Sequence, residues 1–390
     1  MGRRKKKQNF ITKTTKIIIG VIIAIIIIGG IWYGVSRKPT PKEEEMIKIG
    51  VLADLSGDYV SLLRGVPRGV ELAKEDLEKE TGRKIQLIIE DQKSCDSKET
   101  VTIMNKFVSI DKVDAVIGGT CSNTTLAAAP IANQNKIIMI SPASSAPTIS
   151  QAGEYVFRTY ISDLLRAKEA AKIAYELGKR RMAIFTDVSN DAMIELAKGG
   201  REKFTELGGV IVVEEEITKE SKDFRTQIAK IKNSSPDCLY LSITGPNQIA
   251  LIAKQVKELG MDVQLIVPHE TVEDPNVIQI AGKTIEGLIY VMPSNPNETP
   301  NYQELKRRYK EKYGEEEMPS YVTESYDAVV LAVKAVLASN GKREDIKNKL
   351  FEVSKTYQGV SGNVVFDENG DVTKPVMFKI ENSQFVPYGE

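Results

Sequence analysis

Short apolar segments alternate with longer amphipathic segments along the chain from Met46 onward. Residues 47–53 form a largely apolar run typical of a buried strand, and residues 66–80 repeat apolar side chains at helical spacing. The same pair of patterns recurs through residues 85–141 and again through residues 162–267. Because strands that alternate with helices form parallel sheets, this pattern predicts an α/β protein with two Rossmann-like lobes.

Size and charge limit what the chain can bind. With 390 residues and 42% hydrophobic content, the chain can bury two domain-sized cores. Residues 1–42 hold 10 Lys/Arg and no Asp/Glu, so the remainder carries 43 basic and 53 acidic residues, a net charge of −10. Because an acidic globular part repels phosphates, we expect no nucleic-acid partner.

Three cysteines and one histidine leave few groups for metal or nucleophilic chemistry. They exclude a four-cysteine zinc site and a multi-histidine metal site, and no G-x-G-x-x-G or Walker motif indicates nucleotide binding. We therefore expect a protein that is not an enzyme and that holds neither a metal nor a cofactor. An acid/base pair such as Glu270 with Asp191 stays open, although no nucleophile accompanies it.

The amino terminus has the pattern of a membrane anchor. Five basic residues at 3–7 precede an uncharged, isoleucine-rich run of 19 residues at 17–35. As a helix this run is about 28 Å long, close to the thickness of the bilayer hydrocarbon. The charges predict a cytoplasmic tail at 1–16, a transmembrane helix, a tether at 36–45 and an extracytoplasmic remainder. A cleaved signal peptide is the alternative, but no A-x-A cleavage pattern follows the run.

Hydroxyl-rich segments follow two of the predicted strands, at residues 119–125 (GTCSNTT) and 141–147 (SPASSAP). Ligands of open parallel sheets lie at the carboxyl ends of the strands. Hydroxyls beside the free N–H groups of a helix start suit a carboxylate. Helix capping and turn formation explain the same residues about as well, so both interpretations stay open.

The order of the segments resembles the type I periplasmic solute-binding proteins, in the branched-chain amino-acid group. The matching segments are 54–59 (DLSGDY), 90–95 (EDQKSC), 116–122 (VIGGTCS), 140–145 (ISPASS), 157–163 (FRTYISD), 244–248 (TGPNQ), 325–328 (SYDA) and 366–371 (FDENGD). The resemblance covers essentially all of residues 46–390. It implies two lobes joined by a hinge of three crossovers, with the ligand between them. Lobe 1 would comprise 46–160 and 292–358, and lobe 2 would comprise 161–291 and 359–390.

The resemblance also implies where the ligand carboxylate is held. In the leucine/isoleucine/valine-binding protein, a serine directly after a disulfide cysteine holds it, and Ser122 after Cys121 matches that serine. The second carboxylate loop falls on Ala143, Ser144 and Ser145, and Ser145 keeps a hydroxyl where a threonine is usual.

The ammonium group of the ligand is held in this family by an acidic residue just after a lobe-2 strand. Glu270 is the match, although a shift of one residue in the alignment would place His269 there. Thr244 falls where the relative has a tyrosine, and Tyr321 falls on an aromatic wall of the pocket.

Two positions depart from the family pattern. The pocket tyrosine expected after the first strand falls on Leu62, and the tyrosine expected after the first strand of lobe 2 falls on Asp191. A second carboxylate near the ammonium end would suit a polar or cationic ligand, while helix capping is the alternative role for Asp191. Branched-chain specificity is therefore not carried over.

The family's disulfide pairs the cysteines of the same two loops, which here are Cys95 and Cys121. Cys238 lies inside an apolar strand, so we expect it to be a buried free thiol. Together with the predicted anchor, the resemblance implies a receptor held at the membrane that delivers an amino acid or similar small carboxylate to the permease of an ABC importer. A sensing module of the same fold that signals to a membrane partner is the alternative.

Overall fold

The computed structural model describes residues 18, 21–26, 46–293, 299–362, 364–373 and 375–389. The predicted tail at 1–16, the tether at 36–45 and most of the predicted anchor at 17–35 lie outside the described residues, while residues 21–26 are helical. Within the described residues, no helix is both long and apolar enough to cross a membrane. The chain divides into two compact units, Met1–Met46 and Ile47–Glu390, and the second unit contains both β-sheets.

The first part of this second unit alternates strands and helices: β1 (Ile47–Ala53), α1 (Val60–Leu63), α2 (Gly65–Thr81), β2 (Ile85–Asp91), α3 (Ser97–Lys106), β3 (Ala115–Ile117), α4 (Ser122–Asn135), β4 (Met139–Ser141) and β5 (Val156–Arg158). The five strands form one sheet in the order β2-β1-β3-β4-β5. All of its pairs are parallel, so the carboxyl ends of the strands meet at one edge.

The second part continues the alternation with α5 (Asp163–Glu176), β6 (Arg181–Asp187), α6 (Asp191–Glu206), β7 (Val210–Ile217), α7 (Arg225–Asn233), β8 (Cys238–Ser242), α8 (Pro246–Glu258), β9 (Gln264–Val267), α9 (Pro275–Ala281) and β10 (Ile289–Met292). The last elements are α10 (Pro300–Tyr313), α11 (Val322–Ala338), α12 (Arg343–Ser354), β11 (Val376–Glu381) and β12 (Gln384–Tyr388). The second sheet has the order β12-β11-β10-β9-β8-β6-β7. Strands β6 to β10 are parallel, and β11 and β12 are added in antiparallel pairs. The predicted α/β fold with two mainly parallel sheets is confirmed.

Each sheet with its helices forms a lobe. Helices α11 and α12 pack on the first sheet, because their buried faces share a core with β1 and β3. The chain therefore passes between the lobes three times, between residues 158 and 163, between 292 and 300, and between 372 and 376.

The third passage lies later in the chain than the resemblance implies. Residues 359–362 and 364–372, expected in lobe 2, belong with lobe 1, where Val364, Phe366 and Val372 share a core with the first sheet. Asp371 also forms a parallel bridge with Arg158 at the end of β5. The sequence does not reveal where the chain changes lobe, because the alternating apolar pattern of this segment continues without a break into β11.

Candidate ligand-binding cleft

One buried carboxylate ties together the loops that follow β1, β2 and β3. The Oδ1 atom of Asp54 accepts a hydrogen bond from the Cys95 backbone N–H at 2.7 Å. Its Oδ2 atom accepts from Gln92 Nε2 at 2.7 Å and from the hydroxyl of Thr120. Because a buried carboxylate without partners would be costly, these bonds hold the three loops in one arrangement.

The cysteine pair lies directly on this cluster. Cys95 and Cys121 form a disulfide with a Cα–Cα distance of 5.8 Å, so the expected pairing is confirmed. Cys238 is a buried free thiol, as expected, and burial raises its pKa. Asp54, Cys95 and Cys121 form the one group of potential metal ligands among the described residues, and the disulfide leaves it without a thiolate.

The hydroxyl-rich loops lie next to each other, but their serines differ in role. Ser122 is the first residue of α4, and its Oγ accepts a hydrogen bond from the Ala146 N–H at 3.2 Å. Ser144 is buried, and its hydroxyl bonds to Thr125 Oγ1 at 2.8 Å and donates to the Gly119 carbonyl at 3.2 Å. The Ser144 side chain is therefore used inside lobe 1, whereas Ser145 is only half-buried.

Arg158 holds this second loop in place, a role that no sequence motif indicates. The side chain is 0% exposed. Its Nη1 donates to the carbonyls of Ala146 at 2.9 Å and Ser144 at 3.4 Å. Its Nε and Nη2 donate to the two carboxylate oxygens of Asp371 at 2.6 and 2.9 Å. A lone arginine at the end of an apolar strand is the one signal in the sequence that points to this role.

Glu270 follows β9 in lobe 2 and bonds to residues of the first passage and of α5. The Tyr160 hydroxyl donates to Glu270 Oε1 at 2.6 Å, and Arg166 Nη1 donates to Oε2 at 2.6 Å. Burial acts to raise the pKa of Glu270, but the charge of Arg166 and the Tyr160 hydrogen bond outweigh it, so the pKa is lowered. The carboxylate is therefore ionised at neutral pH.

His269, the adjacent candidate, is neutral where Glu270 is ionised. It is buried, its Nδ1 accepts a long hydrogen bond of 3.4 Å from the Thr271 N–H, and burial lowers its pKa to about 4. A buried, neutral imidazole does not offer the charge that an ammonium group requires. Of the two adjacent candidates, Glu270 is the one that reaches Tyr160 and Arg166.

Two tyrosine rings connect the lobe-1 loops with Glu270. Tyr321 packs against the disulfide and Ala143, and its ring meets that of Tyr160 edge to face at 5.4 Å. The Tyr321 backbone is left-handed, with φ of +70°. Its position is set by close packing of α2 on α11, because a Cβ at Gly65 would lie 2.0 Å from the Ser320 carbonyl oxygen.

The family assignment comes from comparison with known proteins. A family model described as "Periplasmic binding protein" matches residues 46–379, which is most of the chain. The chain is a periplasmic binding protein. Membership in this family supports a binding domain outside the cytoplasm.

Relatives of this periplasmic binding protein are named for amino acids. It is 26% identical over 333 residues to the leucine-, isoleucine-, valine-, threonine- and alanine-binding protein of Pseudomonas aeruginosa, covering 84% of this chain and 87% of that protein. The structure of the leucine binding protein LivK from Thermotoga maritima is 29% identical, with a TM-score of 0.66, covering 88% and 98% of the two chains.

An ABC transporter substrate-binding protein from Desulfitobacterium hafniense, solved in complex with Leu, is 25% identical, with a TM-score of 0.69. The match covers 88% of this chain and 100% of that chain. The resemblance to the type I periplasmic binding proteins of the branched-chain amino-acid group is confirmed.

Three of the expected site residues of this periplasmic binding protein are exposed. Thr244 is exposed and accepts a hydrogen bond from Asn190 Nδ2 at 3.1 Å. Asp191 is exposed in the first turn of α6, where Asn190 and not Asp191 is the capping residue. Leu62 is 52% exposed on α1. Among the described residues, no hydrogen bond or ion pair joins Thr244 or Asp191 to Glu270.

A cavity of about 270 Å³ adjoins the cluster on the side of the second passage between the lobes. Its wall includes Tyr160, Glu270, Glu273, Tyr321 and Glu324. Burial raises the pKa of Glu273, and it raises that of Glu324 to about 7. None of the described residues in the wall is a lysine or arginine, so this side of the periplasmic binding protein's cleft is acidic.

Proposed function

We propose that this protein captures an amino acid or similar small carboxylate between its lobes and delivers it to an ABC importer. One observation carries the proposal: Glu270 of lobe 2 is joined to the lobe-1 loops through Tyr160 and Tyr321. In this proposal the anionic Glu270 and a loop suited to carboxylates face the same cleft. The names of the relatives, which bind amino acids or serve ABC transporters, support this assignment.

The two ends of the cleft suit the two charges of an amino acid. At the lobe-1 end, Ser122 begins α4, and the N–H groups of the first helical turn favour a carboxylate. We assign the same carboxylate to Ala143 and Ser145, whose loop is fixed by Arg158. At the lobe-2 end, the ionised Glu270 favours an ammonium group. We place Thr244, Asp191 and Leu62 at the rim, where closure would bring them to the ligand.

Binding in such a cleft is coupled to closure, because a ligand reaches both ends only when the lobes approach each other. The protein would act as a receptor and not as an enzyme. The chain's one histidine, His269, is buried and neutral, so it is unsuited to activate a nucleophile. Uptake assays with reconstituted permease separate delivery from the sensing alternative, since a sensor would bind ligand without increasing uptake.

Two substitutions test the proposal. We expect Ser122→Ala to weaken leucine binding about tenfold or more, because a hydrogen bond to a charged group contributes roughly 1.5–3 kcal/mol. We expect Glu270→Gln to weaken leucine but to leave its 2-hydroxy analogue, which lacks the amine, within about twofold. Isothermal titration calorimetry measures both affinities, and melting temperatures show whether each variant is folded.

Exposed residues outside the proposed site provide matched controls. Ser109→Ala and Glu311→Gln remove the same groups from helical surface positions, and both should bind as the unchanged protein does. A folded Ser122→Ala protein with unchanged affinity would contradict the carboxylate assignment. Equal losses for leucine and the hydroxy acid in Glu270→Gln would contradict the ammonium assignment.

We also propose that the chain stays attached to the membrane through residues 17–35. The support is the uncharged run of 19 residues behind a basic cluster, with no cleavage pattern after it. We expect amino-terminal sequencing of protein from a native-like host to find the chain uncleaved and in the membrane fraction. A mature chain that starts between residues 30 and 45 would contradict the anchor.

A further inference from the structure

Arg166 occupies a buried position between the two ends of the proposed site. It lies in the second turn of α5 and is 6% exposed. Its Nη1 donates to Glu270 Oε2 at 2.6 Å, its Nη2 donates to Asp163 Oδ1, and its guanidinium lies 5.4 Å from the centre of the Tyr160 ring. A buried arginine is thus shared between two carboxylates from different parts of the chain.

The contacts of Arg166 continue into the loop assigned to the ligand carboxylate. The Asp163 backbone N–H donates to the Ser145 carbonyl at 2.9 Å, while the Asp163 side chain accepts from Arg166. Ser145, Asp163, Arg166 and Glu270 therefore form one continuous series of bonds. A displaced Arg166 would disturb both ends of the cleft.

Arg166 contacts Glu270 within a mainly acidic set of neighbours. Tyr160 and Arg166 face Glu270 from the first passage and α5, with Asp163 behind Arg166.

Other neighbours of Glu270 come from two places in the chain. His269 and Glu273 lie in the same segment as Glu270, and Tyr321 and Glu324 lie at the start of α11. His269 is neutral, so Arg166 is the cation of this set and the other charges are acidic. Without Arg166, burial and the neighbouring carboxylates would favour a protonated Glu270.

We propose that Arg166 is a positioning residue that holds the Glu270 carboxylate charged and oriented for the ligand's amine. The inference rests on the proposed function, and it adds the pH range over which the protein binds an amine. An ionised Glu270 binds an ammonium group, whereas a protonated one does not. With Arg166 in place, affinity for an amine should persist to acidic pH, and without it affinity should fall as the pH decreases.

The experiment compares Arg166→Gln with the unchanged protein by calorimetric titration of leucine and its 2-hydroxy analogue between about pH 5.5 and pH 8. We expect leucine affinity of the unchanged protein to vary less than about twofold over this range. In Arg166→Gln it should fall about tenfold or more on acidification, since one unit of pKa corresponds to a factor of ten. The hydroxy acid should show no such fall, and Arg166→Lys, which keeps the charge, should restore the flat profile.

Arg308 supplies a matched control, because it also lies between two carboxylates, those of Glu75 and Asp76, in lobe 1. Arg308→Gln removes an equivalent charge and should leave the pH profile of leucine binding flat. A flat profile in folded Arg166→Gln would overturn the inference while leaving the proposed function intact. An unchanged protein that binds no amino acid would overturn the proposed function instead.

Titration of Glu270 in the ligand-free protein tests the inference whether or not Arg166→Gln folds. Carboxyl ¹³C NMR of the ligand-free protein, with Glu270 assigned through Glu270→Gln, follows its titration directly. We expect the midpoint to lie below 4.5, the ordinary value for this side chain. A midpoint above that value in the unchanged protein would overturn the role of Arg166, even if Arg166→Gln failed to fold.

Discussion

Replacing Arg158 with methionine is expected to lower the free energy of unfolding by about 3–5 kcal/mol, the range found when one partner of a buried ion pair is removed. The carboxylate of Asp371 would stay buried without its bidentate partner, and the Ser144 and Ala146 carbonyls would each lose a donor. Urea denaturation of the protein measures the loss. Because the 143–146 loop loses its support, leucine affinity should fall as well.

Two further variants isolate the cause. Arg158→Met combined with Asp371→Asn removes both charges and should recover part of the stability. Arg201→Met breaks an exposed pair with Glu214 and should cost no more than about 1 kcal/mol. An Arg158→Met protein as stable as the unchanged one would show that this buried pair does not support lobe 1.

Loss of the disulfide is expected to have the second large effect. Cys95→Ser combined with Cys121→Ser opens a covalent loop that spans 26 residues, for which the chain-entropy relation gives about 3–4 kcal/mol. Thermal unfolding without reductant measures the difference. The hydrogen bonds of Asp54 would remain, so the loops should stay near their positions in the folded state.

Reductant provides the control for this prediction. Dithiothreitol should destabilise the unchanged protein by a similar amount and leave the double variant unaffected. Cys238→Ala, which removes a buried thiol outside any disulfide, should cost less, at about 1–2 kcal/mol. A double variant that unfolds at the same temperature as the unchanged protein would contradict the prediction.

The sequence predicted the parts of the structure that follow from local periodicity. The alternation of apolar and amphipathic segments is strong in β1, β6 and β8, and these became central strands of the two sheets. The disulfide followed from family-like loops. Short or weakly patterned elements were not predicted, among them β5, β10 and α12.

Partnerships between distant residues could not be predicted in this way. Arg158 and Asp371 are 213 positions apart, and Arg166 and Glu270 are 104 apart, so no local pattern connects them. The turn at 367–371 shows that local sequence can also mislead. Asn-Gly at 369–370 is typical of a two-residue hairpin turn with two positive φ angles, but only Gly370 has a positive φ, and the Asp367 carboxylate accepts from the N–H groups of Asn369 and Asp371.

The late third passage has a consequence for biosynthesis. Lobe 1 begins at the first strand of the unit, yet Phe366 and Val372 complete its core and Asp371 completes the Arg158 pair. A ribosome must therefore synthesise nearly the entire chain before this lobe can close its hydrophobic interior. During that interval the nascent amino-terminal half exposes apolar surface, so early chaperone capture and a slow, long-range final folding step are expected of this architecture.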